Sequence, residues 1–478
     1  MLDSRNIIAI SNIGFGTSGA RGLVSDFTAN VCGAFTVSFI HVMKASFSFS
    51  MIAIAIDNRP SSLAMAQACA TAAAQCDVDV VFYGVVPTPA LASCAMAQDI
   101  PCIMVTGSHI PFDRNGLKFY RPDGEINKLD EIAIINGEFT YEPIQQLQKL
   151  SVDDTASNHY ITRYSSLFSR PWLSGKRIGI YQHSSAGRDL YPRLFQQLGA
   201  EIILIGRSDT FVAIDTEAVS EADCQKAIEW TQRYQLDALF STDGDGDRPM
   251  LADENGHWLR GDILGLLCAK ALNIEALAVP VSCNTAIEQS GFFQFVIRTK
   301  IGSPYVIEAF EELNRFYKCV AGFEANGGFL LGSTIEVDGN TLADLPTRDA
   351  ILPVLMVLYH AISSSRSVAA LVTDLPQRYT HSDRLTEFAT ERSKKIIAIG
   401  QDNPRALLGQ LDLLGDELSS VNIIDGLRFI FVNGNILHLR PSGNAPEFRC
   451  YAESVSIIEA KKLVNKVLTQ LSIINLYR

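Results

Sequence analysis

The segment PCIMVTGSHIPFDRNGLKF, residues 101–119, begins as an apolar strand and passes directly into a polar loop. The strand is predicted to end near Ser108, which places this serine at the edge where α/β sheets usually bind ligands. His109 follows it, and side chains that are adjacent on an extended chain point to opposite faces. We therefore expect His109 to be badly placed as a base for Ser108.

The same pattern of strand followed by loop recurs along the chain. SMIAIAIDNRPSS predicts a strand, a turn and a helix from about Ser61 that this serine caps, and VDVVFYG predicts the next strand. The cycle restarts at GKRIGIYQHSSAG (175–187) and at EALAVPVSC (275–283), without a sequence-identical repeat. Strands alternating with helix-length segments predict an α/β fold.

The last hundred residues differ from the rest. Two β-rich runs flank Asn433-Gly434, which is a strong hairpin signal, and an amphipathic helix is predicted near 456–470. This pattern favours a smaller α+β domain. We predict domains at 1–165, 166–262, 263–375 and 376–478, in line with a chain too long for one core.

Composition excludes several classes of protein. The net charge is −12, which argues against a general nucleic-acid or anionic-membrane surface but not against a local basic pocket. The ten cysteines are scattered without a C-x-x-C pair, which is typical of free thiols in a reducing compartment, so we expect a cytoplasmic protein. Residues 32–57 are apolar but carry His41 and Lys44 and divide into a helix-length and a strand-length piece, which disfavours a membrane span. The N-terminus lacks a continuous apolar stretch, so a signal peptide is not expected.

The segment DGDGDR, residues 243–248, is the most specific short motif. Asp243, Asp245 and Asp247 alternate, so their carboxylates can converge on one hard cation such as Mg²⁺. An EF-hand would need glycine at its sixth position, where this chain has Arg248, and the flanking residues are β-like rather than helical. A solvated acidic turn is the remaining alternative.

Other loops suit anions and hydroxyl groups. RPSGNAPEFR (440–449) offers guanidinium groups, a hydroxyl and a bare glycine, which suit a phosphate, although a plain turn in a hairpin is an alternative. GFEANGG (322–328) places Glu324 where it could accept hydrogen bonds from two sugar hydroxyls, and a structural turn explains it equally well. GFGTSGARG (14–22) fits neither the dinucleotide nor the P-loop spacing but offers Arg21 to an anion. A serine, a metal triad and two phosphate clamps are the parts of phosphoryl transfer.

These loops together resemble the α-D-phosphohexomutase family. The resemblance covers essentially the whole chain and keeps the order GTSGARG, TGSHIPFDRNGLK, DGDGDR, RTKIGSPYV, GFEANGG and RPSGNAPEFR. It implies three related mixed α/β domains plus a C-terminal α+β domain around a central active-site cleft, with the last domain mobile. It also implies an isomerase that depends on Mg²⁺ and uses a hexose 1,6-bisphosphate as activator.

The resemblance implies a role for each loop. Ser108 matches the serine that is carried as phosphoserine, Lys118 the general acid/base, and His109 a positioning residue, with Arg21 and Arg248 near the phosphate. For that role we expect cationic neighbours around Lys118. The implied metal ligands are Ser108, Asp243, Asp245 and Asp247. The implied substrate-binding residues are Lys300, Glu324, Asn326, Arg440, Ser442, Gly443, Asn444 and Arg449.

The chain also departs from the family pattern. Asn326 replaces a serine in the sugar loop, Asn444 and Ala445 replace Thr and Glu in the clamp, and Ile110 replaces Asn after the Ser-His pair. Asn can still donate to a phosphate or a hydroxyl, so loss of activity does not follow from these changes, and they bear instead on which sugar is preferred. The strings RTKIGSPYVIEAF and GFEANGGF favour the members that act on mannose phosphates in bacterial polysaccharide and GDP-mannose synthesis.

We therefore expect reversible interconversion of mannose 6-phosphate and mannose 1-phosphate through a phosphoserine enzyme and a bisphosphate intermediate. Glucose or glucosamine phosphates are the nearest alternatives, a metal-dependent sugar phosphatase is more remote, and a non-catalytic sugar-phosphate-binding relative would have lost Ser108, Lys118 or an aspartate. The expected partner is a hexose phosphate, with no nucleic acid or membrane, and the chain is expected to be a monomer or homodimer.

Overall fold

A computed structural model describes residues 1–16, 19–441 and 447–474 of the chain. The first region builds one large sheet with helices around it. Its elements are β1 Leu2–Asp3, α1 Ser4–Ile10, β2 Gly14–Phe15, β3 Ala20–Leu23, a 3₁₀ turn Val24–Asp26, α2 Ala29–Lys44, β4 Met51–Ile56, α3 Ser62–Ala74, β5 Asp79–Val85, α4 Thr88–Met96, β6 Cys102–Val105, β7 Arg114–Arg121, β8 Gly124–Glu125, α5 Lys128–Asn136 and β9 Thr140–Tyr141.

The next two regions each add a further sheet. The second contains α6 Thr155–Ser165, β10 Arg177–His183, α7 Tyr191–Gln197, β11 Glu201–Arg207, α8 Glu221–Tyr234, β12 Ala238–Thr242 and β13 Pro249–Ala252. The third contains α9 Gly261–Ala271, β14 Ala276–Pro280, α10 Ala286–Gln289, β15 Phe295–Thr299, α11 Ser303–Leu313, β16 Val320–Phe323, β17 Phe329–Leu331, β18 Ile335–Val337, β19 Asn340–Leu342, β20 Leu345–Asp349, α12 Ile351–Ser363 and α13 Val368–Thr373.

One strand order recurs in these three sheets. A central strand lies between two parallel neighbours, and an antiparallel strand follows the second of them, as β5-β4-β6-β7, β11-β10-β12-β13 and β15-β14-β16-β17. The loop between the last two strands of each set spans 106–113, 243–248 and 324–328. The predicted recurrence of architecture is therefore confirmed, and it puts the serine, aspartate and glutamate loops at equivalent places in the three units.

The C-terminal region has a different architecture. It contains β21 Tyr379–Leu385, α14 Thr390–Asp402, α15 Pro404–Gln410, β22 Leu418–Asn422, β23 Leu427–Phe431, β24 Ile436–Pro441, β25 Phe448–Ser454 and α16 Ile457–Ile473. Its five strands pair antiparallel in the order β21-β25-β24-β23-β22. The predicted hairpin at Asn433-Gly434 joins β23 to β24, and Gly434 has the positive φ of 82° that a tight turn requires. The α+β prediction for this region is confirmed.

The apolar core is divided in the same way. One cluster of buried side chains runs from Ala53 to Leu375 and joins the first three regions. Another cluster, from Phe388 to Ile474, consists only of residues of the C-terminal region. The C-terminal region thus packs as a unit of its own. The domain boundaries at 165, 262 and 375 remain a prediction.

Two local expectations have different outcomes. Residues 32–57 form most of α2 and then β4, as their helix-length and strand-length pieces predict, and none of the helices in the described parts of the chain is long and apolar enough to cross a membrane. The expected serine cap of α3 is wrong. Ser61 does precede the helix, but it makes no capping hydrogen bond, and its hydroxyl instead accepts one from Asn115 Nδ2 at 2.8 Å.

Candidate active site

The serine loop and the aspartate loop meet in a buried cluster. Ser108 Oγ donates a hydrogen bond to Asp243 Oδ2 at 2.7 Å, although 135 positions separate the two residues. Lys118, on β7, forms ion pairs with Asp245 at 2.5 Å and with Asp247 at 2.7 Å. The structure therefore joins the serine, the lysine and the three aspartates in one network.

Ser108 has an unusual backbone conformation. Its φ is 53°, in the left-handed region that costs a non-glycine residue about 1 kcal/mol or more, and it is only 2% exposed. The Ser108 N–H donates to Thr106 Oγ1 at 2.7 Å. The surrounding structure thus holds the serine in a conformation that it would not keep alone.

A buried arginine supplies most of that support. Arg59, which follows β4, donates hydrogen bonds to the carbonyl oxygens of Ser108, Ile110, Pro111 and Arg114 at 2.6–2.9 Å. Its Nε pairs at 3.1 Å with Asp57, whose carboxylate also accepts from Thr106 Oγ1 and Ser62 Oγ. Since position 110 contributes its carbonyl, these bonds do not depend on the isoleucine side chain.

Sequence reasoning missed Arg59 and Asp57. The signal lay in DNRP, where an acidic and a basic residue two positions apart follow the end of a strand. No metal or sugar motif contains them, and their importance becomes visible only when the serine loop folds back over them.

The expected separation of Ser108 and His109 is wrong. Because Ser108 is left-handed rather than extended, its Oγ lies 3.4 Å from His109 Nδ1. That nitrogen already accepts a hydrogen bond from Arg248 Nη1 at 3.0 Å. The cationic Arg248, burial and Arg21 lower the pKa of His109 to about 2. The imidazole is therefore neutral and a poor base. His109 is unsuited to act as a base for Ser108 because of the positive charges around it, not because its side chain points away.

The three aspartates form a buried acidic triad. One carboxylate oxygen from each lies within 4.8 Å of those of the others. Burial and then repulsion by Asp245 and Asp247 raise the pKa of Asp243 well above its usual value. Burial acts the same way on Asp245, but the ion pair with Lys118 outweighs it and holds the pKa of Asp245 well below its usual value. Lys118 and Arg348 therefore offset the charge of the triad only in part, since the pKa of Asp243 stays raised.

The donor set of the triad fits a hard divalent cation. Within the described ranges, no residue donates a hydrogen bond to Asp245 Oδ1 or Asp247 Oδ1, and both atoms are buried. Such unpaired buried oxygens are costly unless a cation or water binds them. The flanking residues are the strands β12 and β13, which confirms that the loop is not an EF-hand.

The immediate partners of Lys118 differ from the expectation. We expected cationic neighbours, whereas its two hydrogen-bonded partners are carboxylates of the triad. The reason is local charge balance, because the buried ammonium offsets part of the negative charge. Thr88 adds a neutral donor, with its hydroxyl 2.8 Å from Asp245 Oδ2.

Arg21 and Arg248 lie next to this network. Arg21 Nη1 donates to the Thr106 carbonyl at 3.0 Å, and burial lowers its pKa to about 10. Arg248 Nε lies 3.9 Å from Asp243 and 3.7 Å from Asp247. The two arginines therefore border the serine loop with positive charge, where an anion on Ser108 would lie.

The glutamate loop is tied to the aspartate loop by another residue that sequence reasoning missed. Arg348, on β20, donates to Asp247 Oδ2 at 3.0 Å and to Glu324 Oε2 at 3.1 Å. Asn326 closes its own loop, since its Oδ1 accepts from the Gly328 N–H at 2.9 Å. No motif marks Arg348 in the sequence, because it is a single charge in a strand.

The remaining predicted residues lie on a separate group of elements. Arg440 and Arg449 are cross-strand partners on β24 and β25. Asp425 lies 3.4 Å from Arg440 Nε and accepts from the Ile301 N–H at 3.0 Å, which links this pair to the loop that carries Lys300. In the described parts of the chain, no hydrogen bond joins Arg440, Arg449 or Lys300 directly to Ser108 or the triad. Ser442, Gly443, Asn444 and Ala445 lie outside the described residues.

Comparison with known proteins gives the same assignment along the whole chain. Models of the phosphoglucomutase/phosphomannomutase family match residues 12–143 as alpha/beta/alpha domain I, 158–256 as domain II, 260–379 as domain III and 388–470 as the C-terminal domain. The chain is 56% identical to a phosphomannomutase of Salmonella muenchen, covering 98% of this chain and 97% of that protein. It is 38% identical to a phosphomannomutase of Sinorhizobium fredii, covering 92% and 94%.

A solved structure shares the fold at low sequence identity. The N-acetylphosphoglucosamine mutase of Aspergillus fumigatus, in complex with GlcNAc-6P and magnesium, superposes with a TM-score of 0.59 at 13% identity, covering 98% of this chain and 99% of that one. The four-part architecture is therefore common to both chains.

Proposed function

The chain belongs to the phosphoglucomutase/phosphomannomutase family, and we propose that it is an isomerase that interconverts mannose 1-phosphate and mannose 6-phosphate. The observation that carries the proposal is the network in which Ser108 Oγ lies 2.7 Å from Asp243 while Lys118 pairs with Asp245 and Asp247. A nucleophilic oxygen, a cation site and an amine are together where phosphoryl transfer needs them. The choice of mannose follows the 56% and 38% identical relatives.

Ser108 carries the phosphoryl group in the proposed mechanism. The bond from phosphorus to the serine oxygen breaks as a bond forms to the free hydroxyl of the sugar phosphate, which gives a hexose 1,6-bisphosphate. The Lys118 ammonium gives a proton to Ser108 Oγ as that oxygen leaves, and the resulting amine takes the proton of the sugar hydroxyl, which restores the ammonium. The bisphosphate then turns around, and the reverse transfer at its other end restores the phosphoserine.

The charged neighbours of Ser108 have supporting roles. Arg21 and Arg248 bind the phosphoryl oxygens, and His109, neutral because of its low pKa, orients Arg248 through the hydrogen bond at Nδ1. Asp243, Asp245 and Asp247, with the phosphoserine, would hold Mg²⁺, which when bound neutralises charge on the transferring group. The unpaired carboxylate oxygens of the triad support this site.

Three further residues and the phosphate clamp hold the sugar phosphate. Glu324 accepts from adjacent sugar hydroxyls, and Asn326 shapes the loop that presents Glu324. Lys300 faces the substrate. Arg440 and Arg449, with Ser442, Gly443 and Asn444, bind the phosphate that is not being transferred. Because both ends of the bisphosphate carry the same group, this clamp serves either orientation.

Several finer points belong to the same proposal. A hexose 1,6-bisphosphate acts as activator by restoring phosphate to Ser108. The protein works in the cytoplasm on a hexose phosphate, as a monomer or homodimer, and the product serves polysaccharide or GDP-mannose synthesis.

Mass spectrometry of the intact protein, purified without phosphatase exposure, tests the carrier role of Ser108. We expect the mass of one added phosphoryl group, its transfer to mannose 1-phosphate, and loss of both adduct and activity in Ser108→Ala. Ser166→Ala, at an exposed serine, is the matched control and should keep both. Active enzyme without any adduct on Ser108 would contradict the proposal.

A side-by-side coupled assay tests the sugar. Mannose 1-phosphate, glucose 1-phosphate and glucosamine 1-phosphate are compared with trace bisphosphate present, and we expect the highest kcat/KM for mannose. A hundredfold preference for glucose 1-phosphate would contradict the choice of mannose but not the proposed phosphoryl transfer. Release of inorganic phosphate without isomer formation would instead indicate a phosphatase.

A further inference from the structure

A second polar crevice lies outside the network around Ser108. Its walls come from the loop that follows β14, from Arg260 before α9, and from the face of the C-terminal sheet. Its empty space, with the open mouth, is about 340 Å³. Among the described residues, Arg440 and Arg449 do not line it; they lie two positions from His438 and Tyr451 on the same two strands.

Arg428 lines this crevice and has unusual surroundings. It is 7% exposed, and its guanidinium forms no hydrogen bond or ion pair with any side chain or carbonyl in the described ranges. Burial and the nearby Arg298 lower its pKa to about 10, so the guanidinium remains charged at neutral pH. A guanidinium that faces a crevice without a protein partner is free to donate to the oxygens of a bound anion.

The carboxylate in the crevice acts on Arg428 only at a distance. Glu453 lines the same space, but it accepts from Arg378 Nε at 2.7 Å and from the Thr285 N–H at 3.0 Å, as well as from the Thr285 hydroxyl. Arg260, also on the wall, is paired with Asp262 at 3.3 Å. The charged group in the crevice that lacks a direct partner is therefore the Arg428 guanidinium, which is positive.

Two neutral groups in the walls also lack partners. The Thr380 hydroxyl and His438 Nδ1 are buried and form no hydrogen bond to the described residues. His438 Nε2 bonds to the Asp425 carbonyl at 2.5 Å, so it carries the proton and leaves Nδ1 as an acceptor. Arg428 and His438 are cross-strand partners, so the unpaired donor and the unpaired acceptor belong to one patch.

A ligand for this patch needs negative oxygens for Arg428 and a hydroxyl proton for His438. We propose that the crevice binds a small protonated oxyanion of the hydrogenphosphate type, either free or as the phosphate group of a sugar phosphate. Arg428 donates to its charged oxygens, Thr380 adds a hydroxyl, and its P–OH group donates to His438. Since residues 281–283 form the opposite wall, the bound anion joins the third region to the C-terminal sheet.

Crystals of the full chain soaked in arsenate, an isosteric hydrogen oxyanion, locate the site through anomalous scattering. We expect a peak within hydrogen-bond distance of Arg428, in addition to any peak at Arg440 and Arg449. A second soak with mannose 1-phosphate separates the two sources, since continuous sugar density indicates a sugar phosphate and an isolated tetrahedral peak indicates a free oxyanion. Water alone in the crevice in both soaks would overturn the proposal.

Equilibrium dialysis with labelled inorganic phosphate measures the site in solution. We expect Arg428→Met to weaken one class of sites at least tenfold, and Arg428→Lys to weaken it less. The double variant Arg440→Met/Arg449→Met should retain that class. Arg405→Met, which removes an exposed charge of the same region, is the matched control.

Thr380→Val keeps the test valid if Arg428→Met does not fold, because it removes only a hydroxyl from a side chain of similar shape. A severalfold loss of phosphate binding is expected from it. Unchanged phosphate binding in the folded Arg428→Met protein, or in Thr380→Val together with Arg428→Lys, would overturn the proposal.

Discussion

Variants of Arg59 should distinguish effects on stability from effects on the reaction rate, because Arg59 holds the serine loop but does not contact the aspartate triad. Its side chain and that of Asp57 are both fully buried. Arg59→Met would leave the Asp57 carboxylate without its cation and four loop carbonyls without a donor. Breaking a buried ion pair in this way costs roughly 3–5 kcal/mol of unfolding free energy.

The conservative variant isolates the effect on the loop. Arg59→Lys keeps a positive charge beside Asp57, so most of the stability should remain. One ammonium cannot span four carbonyls, so Ser108 should lose its left-handed conformation. A displacement of about 1 Å at a reacting group lowers a rate by roughly a hundredfold. We therefore expect kcat to fall by about that factor while KM for the sugar phosphate changes little.

The assay is steady-state kinetics with urea denaturation measured on the same preparations. Arg121→Lys serves as the control, because Arg121 is an arginine of the same region whose ion pairs with Asp123 and Asp130 lie nearer the surface. It should leave kcat within about twofold, as expected of a surface change. Wild-type kcat in a folded Arg59→Lys enzyme would refute the reasoning, since the loop would then hold its geometry without the guanidinium.

Three further predictions follow from the charges. Burial lowers the pKa of His183 to about 4, whereas the same histidine in the unfolded chain has a pKa near 6.5. As the pH falls from 6.5 towards 4, only the unfolded chain gains this proton, so the free energy of unfolding should drop by up to about 3 kcal/mol. Urea denaturation should show this drop in the wild type and a smaller drop in His183→Gln. Asp425→Asn should raise KM about fivefold with little change in kcat, because Arg440 loses its carboxylate and the net worth of such a contact is near 1 kcal/mol; an unchanged KM in steady-state assays would contradict this. Mg²⁺ added at 100 Kd to chelator-treated protein should stabilise it by about 2.7 kcal/mol in thermal unfolding, and Asp245→Asn should lose that shift.

Most of the fold could be predicted from the sequence because the pattern of apolar and polar residues that specifies each strand and helix is local. The spacing of apolar residues within each segment is enough to predict whether it is a strand or a helix, and the carboxyl ends of parallel strands must lie at one edge of a sheet. The hairpin at Asn433-Gly434 follows from two residues. The predicted serine cap of α3 is absent because residues distant in sequence compete for the capping side chain. The hydroxyl of Ser61 accepts a hydrogen bond from Asn115 instead.

The candidate site was readable only in part. The three aspartates lie at alternate positions within one short loop, so their spacing alone predicts convergence on a cation. The conformation of Ser108 could not be predicted, because it depends on hydrogen bonds from Arg59, which lies in the loop after β4. Arg348 was missed for the same reason, since its two carboxylate partners come from loops far apart in the chain.

The way the C-terminal region is attached bears on how a bisphosphate could turn around. Among the described residues, the buried members of its apolar cluster run from Phe388 to Ile474, and none of them belongs to the apolar clusters of the other three regions. The described contacts across this junction include Glu453 with Thr285 and Asp425 with the Ile301 N–H, which are polar. Polar contacts exchange with water at little net cost, whereas separating a shared apolar core would expose its whole area. If Arg440 and Arg449 form the proposed clamp, a unit attached in this way would let the clamp withdraw and return without any change to its own strands.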